Sequence, residues 1–182
     1  MPFPKGKHYT SEDYWNLPEG TRAELINGTL YNMAPPSRIH QKLVSEFTQV
    51  LGQYIKSHHG NCEVYPAPFA VNLDADDKDW VEPDISVICD PSKFTERGCS
   101  GAPDLIMEIV SPASRRMDYI KKTALYLDSG VREYWVVDPT KKYTTVYSFE
   151  QGKDVTPVIF PFDTDIPVGI YSGLTICVND LL

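Results

Sequence analysis

An acid in an apolar strand constrains this chain more than any other feature. The run Asp104-Leu105-Ile106-Met107-Glu108-Ile109-Val110 has the composition of a β-strand, and Glu108 interrupts it where its immediate neighbours are all apolar. A buried, unpaired carboxylate is costly, so such an acid calls for a cation, a lysine or a metal beside it. A second β-like run, Val81-Glu82-Pro83-Asp84-Ile85-Ser86-Val87-Ile88, precedes it and carries Asp84 directly after a proline, at the mouth of its strand. Two acids brought together repel, and a divalent ion is the natural remedy. Glu82, next to Pro83, reads as a solvent-facing residue rather than a ligand.

The rest of the chain supplies a scaffold for these strands. Thr10-Ser11-Glu12-Asp13 starts a first helix, with Thr10 or Ser11 as cap, and Pro18-Glu19-Gly20 ends it. Asn27-Gly28 between Arg22–Ile26 and Thr29–Met33 predicts a tight hairpin, because that pair supplies the positive φ of a type I′ turn. Ser37 caps a long helix from about Arg38 to His58, in which Leu43, Phe47, Val50, Leu51, Tyr54 and Ile55 form one apolar stripe. Further strands are predicted at Cys62–Tyr65, Phe69–Leu73, Glu133–Asp138, Tyr143–Phe149, Val155–Ile159 and Leu174–Val178, and a helix from Ser111–Ser114 to about Asp128. The acidic stretch from Asp74 to Asp79 reads as a solvated turn. The central order strand–strand–helix–strand suggests a mixed sheet with helices packed on it, an α/β (α+β) class.

Composition narrows the functions. At 182 residues, with 42% apolar and 23% charged residues, the chain has the bulk of one globular domain. No apolar run approaches the roughly 18 residues of a membrane helix, and Met1-Pro2-Phe3-Pro4-Lys5 has no apolar signal core, so a cytoplasmic location is expected. Cys62, Cys89, Cys99 and Cys177 form no C-x-x-C pair, which argues against a zinc knuckle and leaves reduced thiols as the expectation. There is no P-loop and no G-x-S-x-G elbow, and the adjacent His58 and His59 cannot face one metal from a helix. The net charge of −8 opposes a dedicated duplex binder, so any positive surface must be local, with Arg115-Arg116 and Lys121-Lys122 as candidates.

On the helix after Glu108, Asp118, Lys122 and Tyr126 follow one another at i, i+4 and i+8 and share a face. Spacing alone favours an exposed Asp–Lys pair of about 0.3–0.5 kcal/mol. A helix running back over its preceding strand instead brings Lys122 to a strand-borne carboxylate. Glu24 has a bland reading as a cross-strand charge partner and His40 as an idle helix residue.

The run Glu108-Ile109-Val110-Ser111-Pro112, then Arg115-Arg116-x-Asp118-x-x-x-Lys122-x-x-x-Tyr126, then Gly130-Val131-x-Glu133-Tyr134-Trp135-Val136-Val137-Asp138-Pro139 resembles the Uma-two family of restriction-endonuclease-like proteins. Glu24-Leu25-Ile26-Asn27-Gly28, His40 and Pro83-Asp84 fit the same pattern in the same order. The resemblance spans about Thr10 to Asp180. It implies the fold of the PD-(D/E)XK nucleases, a mixed sheet flanked by helices, with a core from about residue 22 to 140 of a single domain covering 1–182. Pro83-Asp84 would be the PD and Glu108 the D/E. The lysine expected two residues later is Val110 here, and Lys122 would replace it from the next helix.

The resemblance implies an Mg²⁺- or Mn²⁺-dependent endonuclease acting on DNA. Asp84 and Glu108 are the expected metal ligands, with Glu24 or the carbonyl of Ile109 completing the set. Lys122 is the expected catalytic cation, and Glu24 and His40 occupy further catalytic positions. A homodimer would suit symmetric duplex cutting. Two competing expectations come from other classes: a catalytically idle binding module for nucleic acid or protein, and a structural homodimer with Tyr134-Trp135 and the C-terminal strands as its interface.

Overall fold

The computed structural model describes residues 3–4, 6–74, 78–112, 114–149 and 155–182. The N-terminal elements follow local chemistry. Thr10 caps α1 (Ser11–Trp15): its hydroxyl accepts the Asp13 N–H, and the Asp13 carboxylate accepts the Thr10 N–H. Strands β1 (Ala23–Ile26) and β2 (Thr29–Asn32) close the expected hairpin over Asn27 and Gly28, at φ 49° and 70°. The Ser37 hydroxyl accepts the His40 N–H and starts α2 (Arg38–Ser57), which buries Leu43, Val44, Phe47, Leu51 and Ile55.

Short strands follow: β3 (Glu63–Pro66), β4 (Val71–Asn72), β5 (Trp80–Val81), β6 (Ile85–Ile88), β7 (Phe94–Thr95) and β8 (Gly98–Ser100), then β9 (Leu105–Ile109). A π-helical segment, Met117–Lys122, runs into α3 (Thr123–Asp128), and β10 (Glu133–Asp138), β11 (Tyr143–Ser148), β12 (Val158–Pro161), β13 (Asp165–Pro167) and β14 (Thr175–Cys177) complete the chain. The main sheet has the order β12-β11-β10-β9-β6-β3, with β9 and β10 parallel and the other pairings antiparallel. The second sheet runs β2-β1-β5-β4-β8-β7, and β13 pairs with β14. This is the mixed α+β architecture expected.

Alternation along β9 divides the core. Leu105, Met107 and Ile109 pack with the α2 stripe, β13 and β14, whereas Ile106 and Val110 pack with Tyr126 of α3 and with the second sheet. Glu108 shares the latter face. Its strand therefore aims it between the two sheets, toward the segment carrying Lys122.

Several expectations are corrected. Tyr134 and Trp135 are fully buried at the centre of the main sheet, each with 0% exposure, so they cannot form an interface. Ile166 and Ile176 of β13 and β14 are likewise core residues. Cys62 and Cys89 flank the paired ends of β3 and β6 and are joined in a disulfide, while Cys99 and Cys177 are free. Asp79 is buried and accepts the Asn27 N–H, so the end of the acidic stretch is a hairpin anchor; residues 75–77 lie outside the described residues. Lys122 is buried too and contributes nothing to a positive surface. Among the described residues no helix is long and apolar enough to cross a membrane.

Candidate active site

The antiparallel register that pairs Ile85 with Met107 brings Asp84 and Glu108 opposite each other at the next position. Asp84 Oδ2 accepts the Ile109 N–H at 2.8 Å, and His40 Nε2, from the first turn of α2, lies 3.0 Å from the same oxygen. The Asp84 carboxylate is therefore fixed from both sides, by a strand amide and by a helix-borne imidazole. The N–H and C=O of one strand residue point to the same side, so the Ile109 carbonyl shares the Asp84 side, while Val110 bonds to Val137 on the other.

Lys122 is the hub. Its ammonium donates to Glu108 Oε1 at 2.8 Å and to Glu24 Oε1 at 2.9 Å, and lies 3.9 Å from Asp118 Oδ1. Tyr126 donates its hydroxyl to the same Glu108 oxygen at 2.8 Å. Glu24 Oε1 also accepts the Glu82 N–H at 3.0 Å. Lys122 and Glu108 retain only 4% and 5% of their surface. Glu24, from the first hairpin, thus spans the gap between the sheets to reach the lysine, and its bland cross-strand role gives way to a buried one.

Burial and charge set the electrostatics. Burial pushes the Glu108 carboxyl well above its ordinary range; Lys122 opposes this, and Asp84, Asp118 and Glu24 reinforce it. Asp118 is raised by burial, again against Lys122. Burial alone would depress the Lys122 ammonium, but Glu108, Glu24 and Asp118 outweigh it and hold the group well above its usual value. Burial, then Glu108, push the Tyr126 hydroxyl up, so it is a permanent donor. Four carboxylates thus face one ammonium and one imidazole, and the cluster is short of positive charge.

The donor set fits Mg²⁺ or Mn²⁺ as hard oxygen ligands: Asp84 and Glu108, with the Ile109 carbonyl on the Asp84 side. Among the described residues no three acidic, histidine or cysteine side chains converge as a ready-made metal cage, and Glu24 is committed to Lys122 and the Glu82 amide. Two carboxylates and a carbonyl suit an ion that keeps several waters.

All five residues singled out for catalysis, Glu24, His40, Asp84, Glu108 and Lys122, line one cleft of about 840 Å³, together with Ile109 and Asp118. Sequence reasoning missed its supports. Glu82 does not face solvent; Arg22 donates to it at 2.6 Å and Tyr14 at 3.3 Å. Tyr134 donates to the Asp118 carbonyl at 3.0 Å, pinning the π-helical segment. The segment is itself unforeseen: its wide turns replace the α-helix expected there, yet Asp118 and Lys122 both still face inward. Arg115, a candidate for positive surface, is ion-paired with the buried Asp138 at 2.8 Å.

A family model described as "Putative restriction endonuclease", Uma2, matches residues 11–178. The chain belongs to the Uma2 family. It is 24% identical over 149 residues to "Uncharacterized protein slr1290" of Synechocystis sp., covering 80% of this chain and 75% of that protein. Its fold is similar to the crystal structure of "a putative nuclease belonging to DUF820" from Anabaena variabilis, with a TM-score of 0.76 and 24% identity over 94% of this chain and 96% of that one. In this Uma2 protein the lysine bonded to Glu108 comes from the segment after β9, and Val110 is packed in the core.

Proposed function

We propose that this protein is a metal-dependent endonuclease that hydrolyses DNA phosphodiester bonds. One observation carries the reading: Asp84 and Glu108 face each other across β6 and β9 at a cleft, with Lys122 bonded to Glu108. Mg²⁺ or Mn²⁺ held by Asp84, Glu108 and the Ile109 carbonyl would supply an activated water and a polarised phosphate. His40 and the Ile109 amide orient Asp84. Glu24 and Tyr126 fix Lys122 and Glu108 in register. Lys122 keeps its proton and presents a cation beside the acids, where it steadies the attacking water and offsets charge growing on the phosphate.

The test is calorimetric titration of Mn²⁺ into the wild type and the Asp84→Ala/Glu108→Ala variant, followed by cleavage assays on DNA. The expected result is binding and cleavage by the wild type and neither by the variant. A folded wild type that neither binds Mn²⁺ nor cuts would overturn the proposal. It would favour a metal-free binding module, to which the net charge of −8 also points.

A further inference from the structure

Tyr31 stands directly opposite Glu24 in the first hairpin. Opposed residues of an antiparallel pair project to the same face, so Tyr31 shares the face from which Glu24 reaches Lys122, and its ring lines the cleft. Lys121, exposed beside the buried Lys122, holds that ring. Its ammonium lies 4.7 Å from the ring centroid and donates to the Tyr31 hydroxyl at 2.7 Å. Phe3 also lines the cleft and packs edge to face, at 5.9 Å, on the buried Tyr9 ring.

Such walls suit bases more than a duplex backbone. An unpaired base offers a face to an aromatic ring whatever its identity; a paired base offers none, because its neighbours cover it. A duplex binder neutralises a series of phosphates with lysine and arginine. Among the described residues lining this cleft, Lys7, Arg22 and Lys122 are the lysines and arginines. Each already has an acidic partner: Asp13 for Lys7, Glu82 for Arg22, and the buried acids for Lys122.

We propose that the cleft takes single-stranded nucleic acid, with an unpaired base stacked at Tyr31, whose ring Lys121 holds from beside the cleft. This rests on the nuclease reading and names the substrate form for the same site.

The experiment is fluorescence anisotropy with the metal-free protein in EDTA. A short labelled DNA strand is compared with the same strand in a duplex, using the wild type, Tyr31→Ala, Tyr31→Phe and Lys121→Gln, with Mn²⁺ calorimetry alongside. The single strand is expected to bind the wild type about tenfold more tightly than the duplex. Tyr31→Ala should lose about tenfold, and Tyr31→Phe, which keeps the ring, should retain most of the affinity. Duplex binding as tight as single-strand binding overturns the inference, as does failure of both to bind. In either case the Mn²⁺ titration separates the outcomes: metal bound at Asp84 and Glu108 leaves the nuclease reading standing, and no metal bound removes both. The wild-type comparison decides the question without any variant having to fold.

Discussion

At the residue scale the structure turns on how a single buried ammonium compensates several acids. Lys122 touches Glu24 and Glu108 at hydrogen-bond distance and lies near Asp118. Removing one member of such a buried cluster strands the others, at a cost of about 3–5 kcal/mol. Lys122→Met is therefore expected to lower unfolding stability in urea by that order, and Mn²⁺ to restore part of it by binding the folded state. Glu108 adds a pH signature. Its folded pKa is raised above the reference 4.5, so its contribution is complete below that value and is lost as pH climbs through the folded one. Glu108→Gln stays neutral throughout. The stability difference between the two proteins, from urea melts across the pH range, should shift toward the variant as pH rises from about 4.5 toward neutrality; a constant difference would contradict the raised value. Glu108's need for a partner was legible because an acid amid apolar residues must be compensated. The identity of that partner needed the helix spacing and the family resemblance together. The Arg22–Glu82 and Tyr14–Glu82 bonds were not legible, since those residues lie 60 and 68 positions apart and nothing local marks their meeting.

At the scale of elements, caps and turns were the most legible parts because their chemistry is local. Thr10, Asn27-Gly28 and Ser37 each act where expected. The π-helical turn escaped because no residue type in Met117–Lys122 announces it; the Asp118 carbonyl accepts both the Tyr134 hydroxyl and, from the next turn, the Thr123 hydroxyl. Wide turns of this kind are frequent at functional sites. Here the turn delivers Asp118 and Lys122 together to the acids. The α2 cap has a functional reach of its own, because His40, which contacts Asp84, sits in the turn that Ser37 starts. Ser37→Ala should cost about 1 kcal/mol of stability by thermal or urea melts. It should also weaken Mn²⁺ binding by less than Asp84→Ala does, since only the orientation of Asp84 is loosened.

At the scale of the whole molecule, strand order is what the sequence pattern left open. Alternation identifies strands and their faces, but the parallel match of β9 with β10, and the placing of β1 against β5 in a second sheet, depend on long-range packing. Tyr134 and Trp135 are enclosed, whereas β12 is an edge of the main sheet whose Val158 and Ile159 are 52% and 61% exposed. An uncovered apolar edge is a template for another strand, and antiparallel pairing of β12 with its copy about a two-fold axis would join two main sheets into one. We propose that the protein dimerises through this edge. Sedimentation equilibrium should then find a dimer for the wild type and a monomer for Ile159→Lys, in which a charge on the edge opposes pairing. A monomeric wild type would remove the edge as an interface, and a dimeric Ile159→Lys protein would place the contact elsewhere.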